Sequence, residues 1–345
     1  MRKLISMTLC CLIICTAAIN CGAQPGKPGY KILRKIKVEG DGGWDYLTVD
    51  TLYNRLFVSH GTVVQVVDIN SGKLLETIPD TRGVHGIAIA YNLNKGFISC
   101  GKDTSVTVIE LKSLKTLKVI KVTGKNPDAI LYDNFTKRVF TFNGRSSNVT
   151  VIDATSDKVI ETISLNGKPE FAVSDDKGKI FANIEDKSEL VEINAVTMKV
   201  TRSWLLAPGE EPSGLAIDVK NQKLFSVCDN KLMTVSDIAS GKVIAKVPIG
   251  ESVDGDAFDE ATGTVLSSNG DGTMTLIKEE IPGKYTVSAT VETQKGARTI
   301  ALNPKTHLVY LPTAEFGETP AATEKNQHPR PSVKPGTFVI LELGK

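Results

Sequence analysis

The stretch Asn148–Val159, NVTVIDATSDKV, decides the fold. A run of β-formers ends in an acidic residue, four turn residues follow, and a lysine opens the next run. The same phrase recurs at Asp68/Lys73, Glu110/Lys115, Asn194/Lys199, Asp237/Lys242 and Glu279/Lys284, always with the lysine five positions after the acidic or amide residue. A further copy starts at Glu342 and meets the C-terminus. Physically this is a hairpin. Short strands flank a turn in which Gly, Asn or Asp relieves positive φ, and the acidic side chain accepts turn amide hydrogens.

Two more short strands precede each hairpin. The first of them reads YLTVD from Tyr46, GIAIA from Gly86, AILYD from Ala129, FAVSD from Phe171, GLAID from Gly214, GDAFD from Gly255 and TIALN from Thr299, so the units are 40 to 44 residues apart. The second includes LFVSH at 56–60, VFTFN at 139–143 and LFSVC at 224–228. Four short strands in a unit of this length predict an all-β, seven-bladed β-propeller, with four antiparallel strands in each blade. The seventh unit stops after its third strand, Thr337–Leu343, while Ile32–Val38 resembles a fourth strand without the first three. The N-terminal strand is therefore expected to complete the last blade, which removes two open edges.

The phrases RLFVS, VTVIDATSDKVIETI and DINSGKLLETI resemble the repeats of the YVTN β-propeller family, the surface-layer and YncE-like proteins. The resemblance covers nearly the whole chain after the leader and implies an exported propeller. It leaves the chemistry open, because propellers host many activities. Two departures from the average repeat are a longer turn at Lys278–Lys284 in blade six and an insertion in blade seven. Similar proline-rich insertions occur in related exported propellers.

The N-terminus reads as a secretory leader. Arg2 and Lys3 precede the apolar run Leu4–Ile19, and small residues follow at Cys21–Ala23. Residues 1–23 are read as a signal peptide, 24–30 as a linker and 31–345 as the propeller, with no membrane span after cleavage. Lipid attachment at Cys21 is the alternative, and either route makes the protein extracytoplasmic, periplasmic or secreted. The leader takes two cations and no acid, so the 41 Lys and Arg of the whole chain fall to 39, against 39 Asp and Glu. Near-neutral charge argues against nucleic acid as a partner. Outside the leader only Cys100 and Cys228 remain, three blades apart, and both are expected as free thiols.

In a propeller the loop into each innermost strand opens on one face, around the central channel. The residue just before each first strand is Asp45, His85, Asp128, Glu170, Ser213, Asp254 or Arg298. Six of the seven are ionisable types aimed at a single mouth. The last residues of the second strands, His60, Cys100, Asn143, Ile184, Cys228, Asn269 and Thr313, are expected as an outer ring. The insertion 314–336 should rise over the same mouth, kept extended by Pro320, Pro329, Pro331 and Pro335, and it brings His328 and Arg330.

Imidazole beside carboxylates, as at His85 between Asp45 and Asp128, suits a divalent metal or acid–base work. No dense ligand motif accompanies it, and no motif specifies a cofactor. His307 is expected on the opposite face, Trp204 between blades and Trp44 in packing. Gly270-Asp271-Gly272 is read as a tight turn rather than a calcium loop. The leading expectation is a monomeric binding or scaffold propeller that takes a small polar ligand, a peptide or a cell-envelope protein. Its contacts would be Asp45, His85, Asp128, Glu170, Asp254 and Arg298, with His60, His328 and Arg330 above them. The alternatives are a metal-assisted hydrolase or lyase of lactonase type at the same mouth, and a binder of single-stranded nucleic acid.

Overall fold

The computed structural model describes residues 29–40, 42–321 and 331–345. Seven four-stranded antiparallel sheets form the chain, each running in sequence order from the channel outward except the last. Blade one consists of Trp44–Asp50, Arg55–His60, Val63–Asp68 and Leu74–Ile78. The inner strands of blades two to six are Val84–Ala90, Pro127–Asp133, Pro169–Ser174, Pro212–Asp218 and Val253–Asp259. Blade seven takes Ala301–Leu302, Val309–Thr313 and Val339–Gly344 from the C-terminal end and Lys31–Lys37 from the N-terminal end. The leader, Cys21, most of the linker, His328 and Arg330 lie outside the described residues.

The borrowed strand repeats the others in detail. In blades one to six a register shift interrupts the pairing of third and fourth strands, and the same shift falls between Ile32 and Arg34 in blade seven. Arg34 grips Glu342 at 3.0 and 2.7 Å and reaches the carbonyls of Ile69 and Asn70 in blade one. Arg202 does the same in blade four, holding Glu192 at 3.0 and 2.7 Å and reaching Ile238 and Ala239 in blade five. The seam is also a core. Ile36 and Val38 pack with Leu47, Leu56 and Val58 of blade one and with Tyr310 and Ile340 of blade seven.

The hairpin phrase behaves as expected at its acidic end. Asp68, Asp153 and Asp237 each accept the amide and hydroxyl of the serine three residues on, at 2.7–2.8 Å. The positive-φ position differs: Leu114 (φ 63°) and Met198 (φ 55°) occupy it in blades two and four. Both side chains pack on buried clusters, and that contact offsets the strain of the left-handed conformation. Blade six does not have a longer turn. Its outer strands lengthen instead, to Thr273–Ile281 and Lys284–Glu292, and pair up to Ile281 and Lys284.

Cys100 and Cys228 are free and buried. Trp204 lies between blades, against Phe181 and donating to Ser236 Oγ at 3.3 Å. Asp271 accepts the Thr273 amide at 2.9 Å, as a turn residue. His307 is less free than expected on a surface: its Nδ1 lies 3.0 Å from the buried Asp259 carboxylate. No helix among the described residues is long and apolar enough to cross a membrane.

Candidate functional site

The inner strands begin earlier than their sequence pattern suggests, so most of the mouth residues sit inside them. In blades one to six the pairing of first and second strands shifts just there: Trp44 to Leu47, Val84 to Ile87, Pro127 to Ile130, Pro169 to Ala172, Pro212 to Leu215 and Val253 to Gly255. Asp45, His85, Asp128, Glu170, Ser213 and Asp254 are thus bulge residues, and a bulge re-aims its side chain out of the strand's alternation. Second-strand side chains hold the bulges by their carbonyls. Ser99 Oγ donates to Asp128 O at 2.6 Å, Asn183 Nδ2 to Ser213 O at 3.1 Å and Ser268 Oγ to Arg298 O at 2.6 Å, each reaching into the next blade. Thr299 Oγ1 donates to Asp45 O at 2.9 Å and joins blade seven to blade one.

The ring residues meet as charged groups. His85 Nδ1 lies 2.6 Å from Asp45 Oδ2 and 3.3 Å from Asp128 Oδ1. Arg298 Nη1 lies 2.6 Å from Asp254 Oδ2, and Lys168 Nζ lies 2.5 Å from Glu170 Oε1 while also touching Glu185. Burial lowers the His85 pKa, but the Asp45 hydrogen bond and the charges of Asp128, Asp45 and Glu170 outweigh it, up to about 9. Three carboxyls move up as well. Asp128 reaches about 6 through burial and Asp45, against His85; Asp254 about 7 through burial, Asp45 and Asp128, against Arg298. Glu170 reaches about 8 through burial and the Asp128 charge, against Lys168. Acids are crowded here beyond what the resident cations neutralise.

Two aromatic rings meet across the channel beside the ring. The residue after Asp45 is Tyr46 and the residue after Glu170 is Phe171; their rings meet edge-on with centroids 5.1 Å apart. Blades one and four stand across the wheel from each other, so this contact spans the axis. Glycines beside the other ring positions leave the room: a methyl on Gly86 would stand 3.5 Å from the Tyr46 ring, and one on Gly214 2.8 Å from the Gly255 backbone. Tyr46 is 9% exposed. Burial, then the charges of Asp128, Asp45, Asp254 and Glu170, oppose its ionisation.

A cavity of about 750 Å³ lies at the mouth, and neither Tyr46 nor Phe171 lines it. Glu170, Ser213, Asp254 and Arg298 line its lower wall; Lys168, Glu185, Glu211, Asp229 and Lys295 stand above. Trp44, Phe316, Pro331 and Val333 form one side. The insertion does rise here, and its two described ends make a hairpin stem: Phe316 bridges Val333, and Gly317 N donates to Ser332 O at 2.8 Å. Trp44 packs on Phe338 and Phe316 at 5.2 and 6.0 Å. A smaller hollow of about 250 Å³, lined by Ser164, Leu165, Asn166, Val191, Val200 and Ser203, holds no titratable side chain.

The outer ring needs correction by one residue. His60, Cys100, Asn143, Ile184, Cys228, Asn269 and Thr313 are all buried. His60 is 2% exposed, lies 4.3 Å from Phe338 between ring centroids, and shares a 2.8 Å hydrogen bond from Nδ1 with Gln65. Strand alternation turns these side chains into the blade, and the next residue, Glu185 or Asp229, faces the mouth. Sequence reasoning also missed Tyr46 and Phe171. Their signal was present as two aromatics where four other blades carry Gly or Ala.

Asp45, His85 and Asp128 offer ligand atoms within 4.8 Å of one another and could hold a metal ion. They stand on blades one to three, beside the cavity rather than in its wall.

Fold and site together define a seven-bladed propeller with an acid-rich cup at one mouth. The family model of a domain of unknown function, DUF5074, matches residues 68–213, the span of blades two to four. No curated protein matches the chain. Among solved structures, hydrazine synthase of Kuenenia stuttgartiensis is similar at a TM-score of 0.70 and 17% identity, over 79% of this chain and 94% of that one. U3-55K is similar at 0.75 and 10% identity, over 91% and 99%. At such identities the likeness is one of fold.

Proposed function

We propose that this chain is an exported binding propeller of the YVTN, YncE-like kind, and that its cup holds a small polar ligand. The convergence of Glu170, Asp254 and Arg298 on one cavity at the mouth carries this reading. A cavity of about 750 Å³ with a few convergent polar groups is the size and make-up of small-molecule sites. The flap stem from Phe316 and Val333 gives it a partial roof. Native mass spectrometry of protein purified from the periplasm or medium tests the reading. A bound species lost on replacing Arg298 with Ala supports it. A ligand retained in that variant, or protein recovered empty from every source, overturns it.

One observation favours a second reading, a metal-assisted hydrolase or lyase: the convergence of Asp45, His85 and Asp128. A proton competes with any ion there, since His85 holds its proton up to about pH 9. Metal analysis of protein purified without chelator separates the two readings. A stoichiometric ion lost in His85→Ala supports the enzyme, and its absence in both proteins removes it.

A further inference from the structure

We infer that the cup takes a short peptide with both termini free, its carboxylate at Lys295 and Arg298 and its ammonium at Glu211 and Asp229. The inference rests on the reading of the mouth as a binding site and names the ligand's chemical class. Charge left over after internal pairing carries it. Of the ionisable side chains that line the cavity, Lys168 is engaged by Glu170 and Glu185, and Asp254 by Arg298. Lys295, Glu211 and Asp229 have no ion pair among the described residues. These remaining charges are opposite in sign and stand on opposite sides of blade six. Glu211 leads into blade five and Asp229 follows its second strand, where the Asp229 amide donates to Glu211 O at 3.2 Å. Lys295 lies in the loop into blade seven, its carbonyl accepting from Thr313 Oγ1 at 2.8 Å. Arg298, on the same loop, commits Nη1 to Asp254 and keeps its other N–H groups without a partner among the described residues.

Between the two sides the wall is low. Blade six carries Gly270 where blades four and five carry Glu185 and Asp229, and Gly270 and Ser252 line the cavity there. No side chain fits at 270 without a shift, since a methyl would stand 2.8 Å from the Ser252 carbonyl oxygen. The apolar wall lies on the cations' side. A methyl on Gly296, next to Lys295, would stand 2.5 Å from the Phe316 ring, and that ring lies 6.0 Å from Trp44. The residue that bears the carboxylate therefore finds an aromatic surface for its own side chain. A single α-amino acid holds both charges on one carbon and cannot serve both sides of blade six. Two extended residues span about 7 Å, which separates them. A diamine would set one ammonium against Lys295, and a dicarboxylate would set one carboxylate against Glu211 and Asp229. Only a ligand with one charge of each sign meets both sides.

The experiment is calorimetric titration at pH 7 with alanyl-phenylalanine, its N-acetyl derivative, its C-terminal amide and free phenylalanine. The free dipeptide is expected to bind, and each capped form to bind roughly tenfold more weakly, the loss of one hydrogen-bonded charge. Lys295→Met should weaken the free dipeptide and shrink the effect of the amide while leaving the effect of the acetyl group. Asp229→Asn should do the reverse. Both residues are exposed, and circular dichroism checks that the variants fold. A capped form, or phenylalanine alone, that binds as tightly as the free dipeptide overturns the peptide class and leaves the cup as a binding site. Dipeptide affinity unchanged in both variants overturns it too, because the peptide then sits elsewhere. Failure of all four probes also overturns the class, and the native mass measurement with Arg298→Ala then decides the cup by itself.

Discussion

The same inner strands carry acids at both ends, and the two ends treat them in opposite ways. At the end away from the mouth each aspartate meets donors. Asp50 accepts the amides of Leu52 and Tyr53 and an ion pair from Arg55 at 2.7 Å. Asp133 accepts Thr136 and Ser174, Asp218 accepts Asn221, and Asp259 accepts Thr262. At the mouth the acids crowd one another beside too few cations, and the pKa values of Asp128, Glu170 and Asp254 climb. A carboxylate among donors organises a turn, whereas a carboxylate among carboxylates keeps its proton to higher pH. Burial is common to both ends, so it is the neighbours that separate them.

Asp50→Ala breaks the structural end. It leaves the buried Arg55 guanidinium unpaired and should cost about 3–5 kcal/mol in urea unfolding. A cost below about 1 kcal/mol would show that the acids at that end are dispensable. Asp256 is a third environment, with no partner acid and only the amides of Asp256 and Ala216 nearby, neither in hydrogen-bond geometry. It stands where other blades carry Leu47, Ile87, Ile130, Leu215 or Ile300. Neither carboxyl oxygen has a hydrogen-bond partner among the described residues, and burial pushes its pKa well above the ordinary range. Asp256→Leu should therefore stabilise the fold by roughly 1–3 kcal/mol, read as a rise in the urea midpoint. A fall instead would mean the carboxyl is satisfied in solution.

The functional end is sharpened by pH. Asp128, Asp254, Glu170 and His85 all hold protons more tightly folded than unfolded. Each such contribution is present at low pH and lost as pH rises through the folded value. Between pH 6 and 9 stability should fall by an amount on the order of 2–4 kcal/mol, and Glu170→Gln should flatten the slope. A flat profile in the parent protein would place these acids in contact with bulk water. The smallest effect concerns His85. Asp45→Asn removes its 2.6 Å partner and should lower the imidazole pKa from about 9 by roughly one unit in an NMR titration. An unmoved value would assign the shift to Asp128 and Glu170.

The fold was legible because a repeat states its pattern seven times. Alternation, turn residues and spacing agreed in every unit, and the incomplete ends matched each other, as the pairing of Lys31–Lys37 with Val339–Gly344 bears out. The inner ring was legible for the same reason, since one register position in every blade must face one axis. The outer ring was misread by one residue because a strand end does not reveal which side chain is the last to point inward. Leu114 and Met198 in left-handed turns were hidden too, since only packing against a neighbouring cluster makes that conformation affordable.

The sequence by itself determined the number of blades, the circular closure and the identity of the charged ring, all local patterns copied along the chain. The tertiary structure alone decided that Tyr46 and Phe171 meet across the axis, that three ring carboxyls are pushed upward together, and that the flap stem stands over them. These are relations between blades far apart in sequence. No window of residues contains both partners, and the electrostatic cost of crowding them arises only when the ring closes.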